Sequence, residues 1–597
     1  MFKNLRPLFP YLRKHRMTFW IGALCVLFHN GVWILFPMVI RDAVRDLNTE
    51  VTPHTLRKYA FYLLAVAVTK GIFQYLTRWI LIGVSREIEF DLRNDLFLHL
   101  EHLSYGYFQR TRTGDIMARM TNDLNAVRML VGPGIMYTAN TVVFTAVSLV
   151  FMLSISPRLT LYAFLPLPVF SIVVQYFGRQ IHERFERMQA MFSDISARAQ
   201  ENFSGARLIR AYVQEEAEIE LFERENKEYI ARSLKLVRLM GMLWPTLETL
   251  LGVAIVIVLF VGGREVIHHR INVGDFAAFN TNMVQLTWPI IALGWVINIF
   301  QRGTASLRRI QSILAEQPEV TDADVPASMA PTNVFGEIEF RNLSFHYGHT
   351  LQAAARGEEH RHGDENVLQN VNLKIPAGTS LAIVGPTGSG KSTLVSLIPR
   401  IYDAAPGSVL IDGQPIREFP LEVLRRNIGF VPQETFLFSD SIRENIAFGA
   451  PDATEVDIRR LAGAASIAAD IETFPEGYNT LVGERGLTLS GGQKQRTAIA
   501  RALIRNPRIL VLDDALASVD TQTEERILNH LREIMKGRTT IFISHRVSTV
   551  RNADRIAVLH GGRIVELGTH DELLGLNGYY SDLYNKQLLE EELAEVQ

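Results

Sequence analysis

Up to about residue 305 the chain reads as long apolar runs separated by long charged stretches; beyond it, short apolar runs alternate with Gly, Pro and charged residues. Six runs reach the length of about 20 residues that a helix needs to cross hydrocarbon. They are Met17–Ile40, Tyr59–Gly83, Gly132–Ile155, Leu159–Phe177, Leu243–Val266 and Phe276–Phe300, the second and sixth being the least apolar. Lys3, Arg6, Arg13, Lys14 and Arg16 precede the first run, which is longer than a signal-peptide core. No cleavable signal is evident, and the basic residues predict a cytoplasmic N-terminus. An even number of spans returns the chain to that side. The turns after the third and fifth spans are short, near Ser156-Pro157-Arg158 and His268-His269-Arg270. Residues 86–128 and 179–238 are long, charged and helical in pattern, so they predict helices running well past the bilayer, broken at Thr113-Gly114-Asp115 and Ser204-Gly205-Ala206.

Polar side chains interrupt the spans: His29, Asn30, Lys70, Gln74, Arg78, Asn140, Glu248, Asn280, Asn282, Gln285 and Asn298. Facing lipid they would be expensive, so they belong in a bundle interior or a water-filled cavity. Two uses stay open, a substrate cavity with aromatic walls that include Trp288 and Trp295, or contacts between helices. Lys70 and Arg78 have the further options of snorkelling or pairing with Glu248. Pro289 is expected to loosen the sixth span.

The second half predicts a soluble α/β domain. Residues 1–317 form the membrane domain, 318–335 a linker rich in Pro, Ala and Asp, 336–585 the soluble domain and 586–597 an acidic tail. Glu337–Phe340 and Leu343–Phe345 alternate like strands. Leu381–Val384 is a short apolar run, followed by Gly385-Pro386-Thr387-Gly388-Ser389-Gly390-Lys391-Ser392 and then by Thr393 and Leu394, which open a helix. Strand, G-x-x-x-x-G-K-[ST] loop and helix start are the context of a phosphate-binding loop. Glycines let the backbone wrap phosphate oxygens with its N–H groups inward, and the helix end adds partial positive charge. Lys391 is placed for the β- and γ-phosphates of ATP and the Ser392 hydroxyl for Mg²⁺. Ile509–Asp513 is a second buried strand, ending in a carboxylate suited to hold Mg²⁺ through water. Ile541–His545 is a third, ending in a histidine.

Composition narrows the classes. A formal net charge of −2 gives no nucleic-acid footprint. The single cysteine, Cys25, excludes a disulfide within the chain and a cysteine-based metal site, and reads as a small apolar residue facing lipid or helix.

The chain resembles one half of an ATP-binding cassette (ABC) exporter over its whole length. The resemblance rests on the P-loop, on Gly429-Phe430-Val431-Pro432-Gln433, on Leu489-Ser490-Gly491-Gly492-Gln493 opening a helix from Lys494 to Ile504, on Asp513, on Ser518-Val519-Asp520 and on His545, in family order. It implies that Tyr347 stacks on adenine, that Gln433 bonds Mg²⁺ or the attacking water, and that His545 reaches the γ-phosphate. It implies that Leu489–Gln493 is the signature serving the ATP of a partner domain, with Asp520 at the dimer seam. Tyr107-Phe108-Gln109-Arg110 with Gly114-Asp115, and Gly205 through Glu215, match the coupling helices; Val482–Gly486 matches the X-loop. The stretch Gly348–Asn366, with Glu358, Glu359, His360, Arg361, His362, Asp364 and Glu365, is longer than the family pattern. A solvated loop is favoured there over a histidine–carboxylate metal site.

One position departs from the family. After Asp513 the family has a glutamate that polarises the attacking water; this chain has Asp514. Losing a methylene withdraws the oxygens by about 1.5 Å, and misplacement on that scale can cost about 10²-fold in rate. The expectation is an α-helical six-span membrane domain plus an α/β P-loop ATPase, exporting an amphipathic or lipid-like compound across a bacterial inner membrane. The chain would pair with a different half whose glutamate completes the competent site. A homodimer with slow ATPase, or an ATP-gated regulatory membrane protein, are the alternatives.

Overall fold

The computed structural model describes residues 2–47, 52–322, 325, 333–347, 366–483, 486, 488–517 and 521–595. The chain divides into two compact units, Met1–His99 with Gly114–Ala315, and Leu100–Thr113 with Glu316–Gln597.

In the first unit six helices are long and apolar enough to cross a membrane: α1 (Arg16–Leu47), α2 (Pro53–His102), then, after the short α3 (Tyr105–Arg110), α4 (Thr113–Ile155), α5 (Pro157–Ser204), α6 (Ala206–Ala211, too short to span), α7 (Glu215–Ile267) and α8 (Val273–Leu314). The turns after the third and fifth spans are as tight as the sequence implies. Ser156 caps α5 by accepting from Leu159 N at 3.2 Å. Asn272 and Asp275 cap α8 reciprocally. α4 contains two π turns, Arg119–Asp123 and Leu130–Gly134, the second taking up Pro133. A turn at Leu165-Pro166 interrupts α5, where the sequence pattern showed one span. Pro289, expected to loosen the sixth span, lies inside an unbroken α8.

Small residues let these helices meet closely. A Cβ on Gly132 would lie 2.4 Å from Ser85 Oγ, and one on Gly303 2.6 Å from Leu130 Cβ. Several polar residues in the spans join helices. Asn30 Nδ2 donates to Asn140 Oδ1 at 2.9 Å. Ser148 Oγ donates to Asn282 Oδ1 at 3.3 Å, and Asn282 Nδ2 to the Ser148 carbonyl at 3.2 Å. Cys25 is buried.

The second unit holds two sheets. β1 (Ile338–Phe345), β2 (Leu368–Ile375), β4 (Val409–Ile411) and β5 (Gln414–Pro415) form an antiparallel sheet in the order β2-β1-β4-β5. β1 is one bulged strand where the sequence suggested two. β3 (Ser380–Val384), β6 (Ile428–Val431), β7 (Ile509–Asp513), β8 (Thr539–Ile543), β9 (Arg555–His560) and β10 (Arg563–Gly568) form the other in the order β10-β9-β3-β8-β7-β6, parallel except at β10. β3, β7 and β8 are almost wholly buried, consistent with parallel strands covered on both faces. The last helix, Tyr579–Glu595, runs through residue 586.

Candidate ATP site

Four adjacent parallel strands, β3, β8, β7 and β6, end at the same edge of the sheet, because parallel pairing points all carboxyl ends one way. Each is followed by a motif residue. Gly385 follows β3, His545 lies just past β8, Asp513 closes β7, and Gln433 lies two residues past β6. Register fixes their relative heights: Ile383 pairs with Ile543, and Ile543 with Asp513.

The loop after β3 is built by its glycines. Gly385, Gly388 and Gly390 have φ of 149°, 81° and 97°, a region that side-chain-bearing residues rarely adopt. At Gly385 a Cβ would also lie 2.1 Å from the Leu559 carbonyl oxygen. The helix after the loop begins at Lys391, two residues earlier than the apolar pattern suggested. Lys391 Nζ donates to the Gly385 and Pro386 carbonyls, both at 2.9 Å. Burial pulls its pKa down, opposed by Asp513 and Asp514. Ser392 Oγ donates to Asp513 Oδ1 at 3.0 Å, so two oxygen ligands fit for a hard cation stand side by side. Burial raises the Asp513 carboxyl pKa against the pull of the Ser392 bond. Among the described residues the buried Ser389 hydroxyl has no hydrogen-bond partner, as befits a group that meets a phosphate. The donor set suits MgATP on these grounds.

Asp514 sits at φ 48°, in a left-handed turn that aspartate tolerates better than most residues. Its N–H donates to the Ile543 carbonyl at 3.1 Å, which carries the chain across toward His545. Tyr347 is 45 % exposed, and its hydroxyl pairs with Thr393 Oγ1 at 2.7 Å. Gln433 and His545 are exposed.

The stretch Leu489–Gln493 forms a second helix start. Ser490 caps the helix Gly491–Leu503: its Oγ accepts from Gln493 N at 3.3 Å while Gln493 Oε1 accepts from Ser490 N at 3.0 Å. That capping box leaves the Gly491 and Gly492 amides at the helix end, so the helix begins three residues before Lys494. Among the described residues no hydrogen bond joins it to the P-loop. Asp520 lies outside the described residues, as do Glu484 and Arg485 of the X-loop stretch and residues 348–365.

Some neighbours of the site escaped the sequence reading. The Tyr402 ring lies 5.2 Å from Tyr347, 6.1 Å from Phe345 and 6.0 Å from Tyr105 of α3. Tyr402 Oη donates to Gln109 Oε1 at 2.7 Å, across 293 residues of chain, and burial raises the phenol's pKa. Arg110 pairs with Glu319 at 2.9 Å. Gln587, near the end of the chain, accepts from Val547 N and donates to the His545 carbonyl. Partners so distant in sequence leave no local spacing to recognise.

Comparison with known proteins accords with this geometry. Residues 19–290 match the family model for the ABC transporter transmembrane region, and residues 368–517 that for ABC transporter. The chain is 36 % identical over 593 residues to a probable multidrug resistance ABC transporter ATP-binding/permease protein, YheI, of Bacillus subtilis, covering 99 % of this chain and 98 % of the relative. It is also 36 % identical to an ATP-dependent lipid A-core flippase of Syntrophus aciditrophicus, covering 100 % and 96 %. A solved structure of a bacterial Atm1-family ABC exporter with ATP bound superposes with a TM-score of 0.76 at 29 % identity, covering 96 % of this chain and 98 % of that one. The chain belongs to the ABC transporter family: it is an exporter-type half-transporter, multi-pass in the membrane with a cytoplasmic nucleotide-binding domain, whose ATPase is coupled to transport.

Proposed function

We propose that the chain is the weaker-site half of a heterodimer that exports amphipathic or lipid-like compounds. Gly385 to Thr393 hold the ATP phosphates and Tyr347 the adenine. Ser392, Asp513 and Gln433 hold Mg²⁺, which neutralises charge on the phosphates when bound. His545 contacts the γ-phosphate, and Asp514 orients the attacking water poorly. Leu489–Gln493 and Asp520 serve the ATP bound by the partner half. The observation that carries this reading is Asp514 itself, one residue past the carboxylate that bonds Ser392 and short of a glutamate's reach. The signature helix supports the pairing, since its capped start has no bond to the P-loop of its own chain among the described residues. Relatives whose names refer to multidrug resistance and to lipid A-core support the substrate class.

The test is the ATPase rate of the chain purified alone. The wild type is expected to be slow, and Asp514→Glu to raise the rate by about 10²-fold if geometry is the defect. A brisk wild-type rate as a homodimer, unchanged in Asp514→Glu, overturns the weak-site reading. ATP-dependent accumulation of a lipophilic dye in inside-out vesicles separates a pump from an ATP-gated regulator.

A further inference from the structure

The imidazole of His545 stands on a turn rather than on an element. β8 ends at Ile543, and a short helix, Val547–Val550, begins four residues later. His545 itself is exposed. An exposed side chain goes where its backbone points it, so the main chain of this turn decides where the ring can reach.

Three groups hold that main chain. Ser544 Oγ accepts from Arg546 N at 3.0 Å. The Arg546 guanidinium pairs with Glu524, a buried carboxylate on the helix Thr521–Met535 that also accepts from Thr549 Oγ1. The third group comes from the far end of the chain. Gln587 Oε1 accepts from Val547 N at 2.7 Å, and Gln587 Nε2 donates to the His545 carbonyl. Val547 opens its helix, so its N–H has no intrahelical acceptor. One primary amide, with an acceptor and a donor side by side, therefore bonds both ends of the turn. Ser544 and Glu524 hold Arg546; of these three groups only Gln587 bonds the residue that carries the imidazole.

The last helix is well placed to act as a fixed support. Tyr580 is wholly buried in the same core as Val547 and Val550, and Leu583 and Tyr584 pack against that core. The Tyr580 hydroxyl pairs with His570 Nδ1 at 2.7 Å. Glu566 accepts from the Tyr579 and Tyr580 amides at 2.6 and 3.1 Å. Tyr580, Tyr584 and Gln587 lie at i, i+4 and i+7, on one face of the helix. Gln587 thus continues the docked stripe, where a polar group needs protein partners, and it finds them in the turn.

Resting on the reading of His545 as the γ-phosphate contact, we propose that Gln587 is a positioning residue for ATP. Its amide sets the turn so that the His545 ring meets the γ-phosphate, and the last helix thereby becomes part of the chain's own ATP site. The P-loop is held by its glycines and by Lys391, so it does not depend on this amide. Loss of the amide should therefore fall on a triphosphate and spare a diphosphate.

The experiment uses the full chain in phosphatidylcholine nanodiscs. It measures the affinity for MgAMP-PNP, which keeps a γ-phosphate but resists hydrolysis, relative to that for MgADP. Wild type, His545→Ala, Gln587→Met and the double variant are compared. Methionine has about the length of glutamine but no N–H to give. His545→Ala is expected to lower the affinity ratio about tenfold, the weight of one charge-assisted bond. Gln587→Met is expected to lower it about fivefold, part of that same bond, with the loss confined to the triphosphate. In the double variant the ratio is expected to fall no further than in His545→Ala, because the two residues act as one unit. An unchanged ratio in Gln587→Met beside a reduced one in His545→Ala overturns the positioning role and leaves the His545 reading standing. An unchanged ratio in His545→Ala defeats that reading, and with it any role exercised through the ring. Equal losses for both nucleotides in Gln587→Met, or full additivity in the double variant, make the bond merely structural and overturn the proposal. Should Gln587→Met fail to elute as a monodisperse species, Gln587→Glu takes its place. It keeps an acceptor for Val547 N but sets a carboxylate against the His545 carbonyl. A fall in the ratio is again expected, and a wild-type ratio there overturns the proposal equally.

Discussion

In the ATPase unit the reactive side chains are fixed by backbone that tolerates almost no change; in the membrane unit they are fixed by a few side-chain bonds between helices. Ser392 meets Asp513 because β3 and β7 flank β8 in register and the P-loop glycines adopt positive φ. Asn30 meets Asn140 only because one amide on each of two helices points the right way. The first arrangement depends on main-chain geometry and fails abruptly. The second depends on single hydrogen bonds, each worth about 1 kcal/mol, and should fail by degrees.

Gly385→Ala tests the abrupt side and should have the largest effect. Its Cβ would stand 2.1 Å from the Leu559 carbonyl, at φ 149°. MgATP binding and ATPase should both fall by about 10²-fold or more, since shifts of an ångström at a reacting centre carry that penalty. Gly407→Ala is the control, with φ 74° but nothing within 4 Å of the new Cβ. It should lower stability by about 1 kcal/mol and leave MgATP affinity as it was. Equal losses in the two variants would mean that strain alone, not the close approach, governs the loop.

The same contrast explains what was legible in the sequence. The P-loop, the Asp513 strand end and the signature were readable because each is a local pattern: an apolar run, a fixed glycine spacing, a helix start. The six spans were readable from length and hydropathy. The break at Leu165-Pro166, the continuity of α8 through Pro289 and the helix starts at Lys391 and Gly491 were not, because neighbouring packing and capping decide them. The partners of Tyr402, Gln109 and Gln587 were invisible, being set by contacts hundreds or tens of residues apart. Among the membrane residues the polar set was legible, but not which of its amides bond across helices.

Tyr402 tests whether the ATPase unit's rule extends beyond its motifs. Tyr402→Phe keeps the ring against Tyr347 and removes the donor to Gln109. MgATP affinity should stay near wild type, while stimulation of ATPase by a transported compound should drop about fivefold, the lower end of ordinary coupling energies. An unchanged stimulation ratio would make the bond a packing detail.

Ser490→Ala removes one arm of the capping box and should cost about 1 kcal/mol in thermal unfolding of the ATPase domain. Ser490→Thr should recover most of it. A loss no larger in Ser490→Ala than in Ser490→Thr would show that the helix start is held by other contacts.

The smallest effect belongs to the membrane unit, and its form matters more than its size. Asn30→Leu removes the donor to Asn140 Oδ1 and leaves that oxygen among apolar helices. Asn140→Leu does the converse, although Asn30 keeps its second bond, to the Val26 carbonyl at 2.8 Å. Each single variant should therefore lose about 0.6 kcal/mol in detergent unfolding, with Asn30→Leu the worse of the two. The double variant strands neither group, so its loss should be smaller than the sum of the singles. Strict additivity would mean the two amides do not depend on each other, and the membrane bundle would then be held by close packing at residues such as Gly132 and Gly303 rather than by paired polar groups.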